Sequence, residues 1–541
     1  MRFIPIFISL VFLSACYQTE STLTDSLIYC VDKAPNSFNP QISHDIATLD
    51  ATTHQIFNRL VKIDPISQQF IPDIAHHWKV NDKKTHYTFF LREDINFHDT
   101  DYFTPTRQLN ADDVIFSFKR MLSTKHPYHS VNSDSDNYLY NHPFSNLVDE
   151  IIKIDEYTIR FLLNKPDATL LANLAAHYSV IHSKEYATQL LLVAHPEQID
   201  FKPIGTGPYQ FKANSTNRII RYQAHKSPWQ VPAKIENLIF DVTSDSTKRY
   251  AKLLSGECDI ITNPASSQVK HISKNSDVSL SSQPTSSIAL IAFNTKNAHL
   301  SSALDRHALS NSIHLDTILE AVFFDTSLAT TTLLAEHAWA HNPRIQKANF
   351  SPKQSAKQLI DNNFDFTKTL RIIAPVKNSI FNPNFYKTAE LIQSNWSDIG
   401  VKSEIVLLRK AEIELALKTG DYDIFLTGNS PYIKDPDNLF RPLLSCNANA
   451  LEGNSGYWCN SEMQQILDNT LLEVSFIQRV KNYYKLQELI QEQRIYLPIA
   501  HLLRFDVFND NITDVQVDPL TGINFHYAQK SMPIDKIEEE Q

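Results

Sequence analysis

Hydrophobic and polar positions change period along this chain, and the clearest change falls within residues 87–122. Tyr87, Phe89 and Leu91 alternate with Thr88, Phe90 and Arg92, the period-two pattern of a strand covered on one face. A polar turn follows. Asn110 then stands as N-cap, Asp112 and Asp113 fall beside the positive end of the helix dipole, and Val114, Phe118, Met121 and Leu122 recur at helical spacing. A strand, a loop and a capped amphipathic helix are expected.

The same reading places a first strand at Leu27 to Val31 and a helix at His54 to Val61, with Ile56, Phe57, Leu60 and Val61 on its apolar side. Residues 151–154 and 158–162 read as paired strands turning at Asp155 and Glu156. Helices are expected at 170–176, 184–194 and 248–254, with strands at 219–222 and 235–242. From Thr369 the pattern alternates. Strands at 370–374, 402–407 and 422–426 are separated by helices at 386–399 and 411–418, closed by Gly400 and Gly420. Such short crossovers imply a parallel sheet covered by helices, hence an α/β fold. Two last helices, 462–473 and 475–493, precede Leu497 to His501.

At 541 residues the chain is long enough for two or three compact units with ample core. Its 42% hydrophobic and 20% charged residues are a globular composition. A net charge of -10 argues against nucleic-acid binding and permits cationic ligands. With only 9 glycines against an average of about 7%, turns must lean on Asn, Asp, Ser and the 26 prolines. Residues 1–15 carry Arg2 and an apolar run from Phe3 to Leu13, too short for a mature membrane span, and read as a signal peptide. Four cysteines follow Cys16: Cys30, Cys258, Cys446 and Cys459, which allow three disulfide connectivities.

The wording of these segments carries more than their period. LRE, NFHD and NADDVIFSFKRML, running from Leu91 to Leu122, resemble the LR, FHDG and TADDVxFSxxR signature of the family 5 solute-binding proteins, extracytoplasmic peptide-binding components of ABC importers. Thr100 stands where that family has Gly, and an insertion runs through Pro105 and Arg107. Further matches are Pro72 to Trp78, Gly205-Thr206-Gly207-Pro208-Tyr209 and Ser255 to Ile260. The Gly205 motif lacks the third glycine of a dinucleotide fingerprint, and its glycines are expected to permit a tight bend at an inter-lobe surface. Trp78 is expected in the core.

The resemblance implies a two-lobed periplasmic binding protein fold of the large peptide-binding type, with an extra subdomain in the first lobe. It implies a signal peptide over 1–15, a tether over 16–26 and a first lobe over 27–284 with a subdomain at about 57–205. A second lobe over 285–500 and a return through 501–541 complete it. The first hinge is expected within 280–294. Leu13-Ser14-Ala15-Cys16 resembles a bacterial lipobox, in which Cys16 is acylated; ordinary cleavage to a soluble periplasmic protein is the alternative. The resemblance also implies disulfides Cys30–Cys258 and Cys446–Cys459.

In related dipeptide binders an acidic residue holds the peptide amine and an arginine its carboxylate. Aligned on Asp435-Pro436-Asp437-Asn438, this chain places Asn429 at a family Trp and Tyr432 at the amine-binding acid, while Lys377 and Asn378 stand near the carboxylate arginine. Burying a free ammonium without a counter-charge is costly, so a short peptide held by both ends is disfavoured. Phe440 to Cys446 resembles instead a branch linked to antimicrobial-peptide sensitivity. The expected cleft residues are Phe38, Asn39, Lys377, Asn378, Asn429, Tyr432 and Asp435.

The expected function is capture of peptides, cationic antimicrobial peptides among them, and delivery to an ABC permease with its ATPase subunits. A monomer is expected, with no cofactor and no metal. Haem or another bulky ligand, or a signalling role as a peptide receptor, are the alternatives. Enzyme readings are weak: His337 and His341 lack the acid of HExxH, Gly453-Asn454-Ser455-Gly456 has the wrong spacing for a nucleophile elbow, and Asp112 and Asp113 suit a helix cap.

Overall fold

The computed structural model describes residues 25–131, 143–215, 218–324, 326–347, 349–473 and 475–531. The expected signal peptide and the lipidation site Cys16 lie outside them.

Two long strands organise the molecule. Val278–Phe293 and Tyr496–Asn509 pair antiparallel over nearly their whole length, with an irregularity between Pro284 and Ile288. They form the middle of an eleven-stranded sheet. On one side Ile260–Thr262, Ser26–Val31, Asn237–Val242, Ile219–Ala224 and Tyr209–Ser215 continue the sheet into a first lobe. On the other, Ile424–Asn429, Thr369–Pro375 and Lys402–Leu408 build a second lobe, the last three parallel as the crossovers require.

The run from Ile288 to Phe293 explains why the second lobe is doubly covered. All six residues are fully buried. Ala289, Ile291 and Phe293 enter one hydrophobic core, whereas Ile288, Leu290 and Ala292 enter another. Alternate side chains of a strand point to opposite faces, so an unbroken apolar run serves two layers of helices. The first lobe has its own core around Tyr29, Phe57, Tyr222 and Phe240. A separate core, from Leu60 to Ile204, surrounds a four-stranded sheet in which His86–Leu91 pairs with Ala75–Val80 and Thr158–Leu163.

The strand and capped helix at 87–122 are present as His86–Leu91 and Ala111–Leu122. The Asn110 carboxamide accepts from Asp112 N at 3.0 Å, and Asn110 N donates to Asp113 at 3.0 Å. The helix expected at 54–61 is absent. Asp45 caps a helix earlier, at Ile46–Thr52, and Arg59 and Leu60 use their carbonyls to accept from Ile74 and Ala75. The apolar residues divide instead between cores, Ile56 and Phe57 to the first lobe and Leu60 and Val61 to the subdomain. A short apolar run cannot distinguish these outcomes.

Gly205 and Gly207 do not lie at an inter-lobe surface. A Cβ on Gly205 would stand 2.0 Å from the carbonyl oxygen of Ile56, and one on Gly207 2.6 Å from that of Gln55. These glycines allow close approach of two backbones within the first lobe, where Gly207 N donates to Ile56 O at 2.8 Å.

Cys30 is bonded to Cys258 and Cys446 to Cys459, the pairing that the resemblance implies. The first bridge closes 228 residues of chain, so the double variant Cys30→Ala/Cys258→Ala should lose about 2–4 kcal/mol of unfolding free energy. A urea titration under non-reducing conditions reads this directly; an unchanged midpoint would show the bridge to be dispensable.

Candidate functional site

A cavity of about 1260 Å³ lies where the lobes meet. That exceeds the roughly 300–1,000 Å³ of small-molecule sites. The first lobe contributes His54, Arg59, Lys62 and Asp518; its subdomain adds Trp78, Leu171, Ala172, Ala175 and Ala176. The second lobe contributes His337, Trp339, Tyr432, Asp435 and Phe476, and Gln283 and Pro284 come from the long crossing strand. Walls from both halves therefore complete the site.

The halves are in contact around it. Lys434 of the second lobe pairs with Asp518 of the first at 2.9 Å, and its ammonium also reaches Gln68 at 3.4 Å. Burial acts to raise the Asp518 carboxyl pKa, but the Lys434 ammonium overrides it and holds the group below the usual carboxylate range. Ile433 is buried in the subdomain core, the Tyr178 and Tyr432 rings meet at 6.1 Å, and Ala168 N donates to Leu471 O at 2.9 Å. A ligand touching both walls favours this closed arrangement by its differential contacts.

Of the seven expected cleft residues, the cavity gathers two. Tyr432 lines it, its N–H donating to Asn438 at 2.7 Å, and burial pushes its phenol up to about 12. Asp435 also lines it but is occupied: both its oxygens accept from Arg479 at 3.0 Å, and Tyr483 Oη reaches it at 3.3 Å. Arg479 in turn stacks over Trp339 at 5.2 Å, so the acid stiffens the wall.

The other five lie elsewhere. Phe38 is buried in the first-lobe core against Phe211, at 4.8 Å between ring centres. Asn39 is fully buried and donates to Asp200 at 2.6 Å, a bond that fixes the loop. Lys377 and Asn378 are exposed beyond the end of Thr369–Pro375 and outside the cavity lining. Asn429 ends Ile424–Asn429, in register with Ile288, and is not part of the lining. Ungapped alignment on a neighbouring motif carries no information about where a strand end points.

Several lining residues escape sequence reading. Trp78, expected in the core, is half-buried, packed on the subdomain core and open to the cavity. His337 lines the cavity on an irregular segment, so His337 and His341 share no helix face. Among the described residues no group of three His, Cys, Asp or Glu side chains could hold a metal. Arg59 and Asp518 come from chain ends that only the fold brings together.

Two lobes, two crossing strands and a cavity at their junction define a solute-binding protein of the bilobal type. The family described as bacterial extracellular solute-binding proteins, family 5 Middle, matches residues 69–450. The peptide transport periplasmic protein SapA of Salmonella typhimurium is 34% identical over 510 residues, spanning 94% of this chain and 93% of that protein. Heme-binding protein A of Haemophilus influenzae is 35% identical over 493 residues, 90% of this chain and 89% of that protein. The solved structure of HbpA2 from Haemophilus parasuis superposes with a TM-score of 0.89 at 30% identity, covering 94% of this chain and 100% of that one. The chain belongs to the family 5 bacterial extracellular solute-binding proteins.

Proposed function

We propose that this protein captures peptides in the inter-lobe cavity and delivers them, closed, to an ABC permease driven by its ATPase subunits. The observation that carries the reading is the cavity itself, too large for a free amino acid and walled by both lobes, in a chain similar to a peptide transport protein over nearly its whole length. Closing and opening of the lobes is the working step, and no bond of the ligand is made or broken. The site of action is the periplasm. Among the described residues no helix is long and apolar enough to cross a membrane. Anchoring through acylated Cys16 is part of the proposal, and the intact mass of the membrane-extracted chain reads it: a mass without acyl groups removes that part.

Cationic antimicrobial peptides are the less favoured cargo, because the carboxylates lining the cavity are already engaged by protein donors. Haem is a second reading, favoured by the 35% identity to heme-binding protein A and by His337, a lining histidine with no hydrogen bond among the described residues. Native mass spectrometry of protein purified from periplasm separates the two. Peptides are expected at one per chain; a stoichiometric Soret absorbance lost in His337→Ala, with no peptide released on denaturation, would replace the peptide reading by haem.

A further inference from the structure

Arg59 is a buried cation with no ion-pair contact among the described residues; burial lowers its pKa, and the charges of Asp73 and Asp518 oppose this only from a distance. It is 5% exposed and lines the cavity, and its Nε and Nη1 are buried with no hydrogen-bond partner. Its backbone N–H donates to Asp73 at 3.0 Å, but no carboxylate among the described residues forms an ion pair with its guanidinium. Burying an unpaired charge is strongly unfavourable, and each such group calls for a partner.

None of the lining carboxylates is in contact with the Arg59 guanidinium, and each is hydrogen-bonded elsewhere. Asp64 accepts from Ser67 N at 2.7 Å and Ser67 Oγ at 2.8 Å. Asp73 takes the Arg59 N–H and Gln230 Nε2, the latter at 3.3 Å. Asp435 is held by Arg479 and Asp518 by Lys434. Lys62 adds a second lining cation that has no ion pair among the described residues. The field is felt nearby: burial, then the Arg59 charge, pushes the His54 imidazole down to about 3. Arg59 is thus the buried lining cation whose guanidinium donors the protein leaves unused, whereas Asp64 and Asp73 accept from neutral N–H and O–H groups.

We propose that Arg59, supported by Lys62, is the anion-recognition subsite of the cavity and takes the carboxylate of a bulky ligand whose body rests on the apolar wall of Leu171, Ala172, Ala175 and Ala176. A guanidinium presents parallel donors that match a carboxylate in a fork, which an ammonium cannot do. The assignment of that carboxylate as a peptide C-terminus rests on the peptide reading; a tetrapyrrole propionate offers the same chemistry. The anchor sits on the first lobe, whereas the cation expected from sequence, Lys377, stands exposed outside the cavity.

Calorimetric titration of the full mature chain tests this with paired probes: the tetrapeptide Ala-Leu-Phe-Leu as free acid and as C-terminal amide, and haem with its dimethyl ester. In the wild type the acid of the binding pair should bind about 10–100-fold tighter than its neutral counterpart. Arg59→Gln should abolish that preference, and Lys62→Gln should reduce it a few-fold. Circular dichroism checks folding, and if Arg59→Gln is unfolded the Lys62→Gln result decides. Equal binding of acid and neutral probes, a preference that survives Arg59→Gln, an unchanged preference in Lys62→Gln where that variant decides, or no binding by either acid overturns the proposal. Peptides that bind regardless of their terminus would leave the peptide reading standing without this subsite; a response confined to haem would do the reverse.

Discussion

Lowering the pH from 7 to 5.5 is expected to remove about 2.5 kcal/mol or more of unfolding free energy, before any carboxylate of ordinary pKa is protonated. The source is a set of buried histidines. Burial pushes His225 and His501 down to about 4. Burial, with His225 beside it, lowers His98 well below the ordinary imidazole value, and burial, with Arg120 nearby, does the same to His182. All four are under a tenth exposed. A folded pKa below the unfolded one means that the unfolded chain binds more protons. Their contribution is thus complete above about pH 6.5 and drains as pH falls from there toward the folded values. Between pH 7 and 5.5 His225 and His501 each account for about 1.2 kcal/mol, His98 and His182 act in the same direction, and about 5–15 kcal/mol is the whole stability of a typical protein. Asp50, Asp167, Asp305 and Asp437, all raised first by burial, oppose the trend at lower pH. Urea titrations across this range give the profile, and His501→Leu should flatten it by one histidine's share. A profile flat from pH 7 to 5.5 would mean that these rings take up protons as readily in the folded protein as in the unfolded chain.

Where sequence reading succeeded, the controlling physics was local. The cap at Asn110 with Asp113, the strand ending at Leu91 and the alternating segment after Thr369 depend on neighbours within a turn or a strand, and periodicity records those. The misplaced helix at 54–61 shows the limit: Ile56, Phe57, Leu60 and Val61 are all buried as expected, but on two different cores, and burial alone does not set backbone geometry. The site was less legible still. Asp435 reached the cavity wall only to be neutralised by Arg479, 44 residues later, and Tyr432 carries no charge to replace the acid it was aligned with. The groups that set the electrostatics, Arg59, Lys62, Lys434 and Asp518, belong to segments that are ordinary when read singly. What distinguishes them is which has a partner and which has none, a property of the folded arrangement.

The same distinction makes Arg504 a sensitive charge, because its loss strands buried carboxylates. It lies on Tyr496–Asn509, the second strand that passes between lobes, and is fully wrapped: Nη1 and Nη2 donate to the two oxygens of Asp50 at 2.9 Å each, and Nε donates to Asp506 at 2.8 Å. Tyr29 Oη donates to Asp50 at 2.9 Å, and Ile523 N donates to the other Asp50 oxygen at 2.9 Å. One guanidinium thus ties the first strand, the helix Ile46–Thr52, the crossing strand and the C-terminal return. Replacing Arg504 by methionine keeps volume but leaves two buried carboxylates facing each other, and should cost about 3–5 kcal/mol, the range for breaking a buried pair. If the loss comes from stranded charge rather than lost packing, Arg504→Met combined with Asp50→Asn and Asp506→Asn should recover part of it. Chemical denaturation of the single and triple variants at pH 7 separates the two causes. A triple variant less stable than the single would show that the cluster holds the strand by its hydrogen bonds, and a loss under about 1 kcal/mol in Arg504→Met, the range of exposed pairs, would show that water reaches these carboxylates after all.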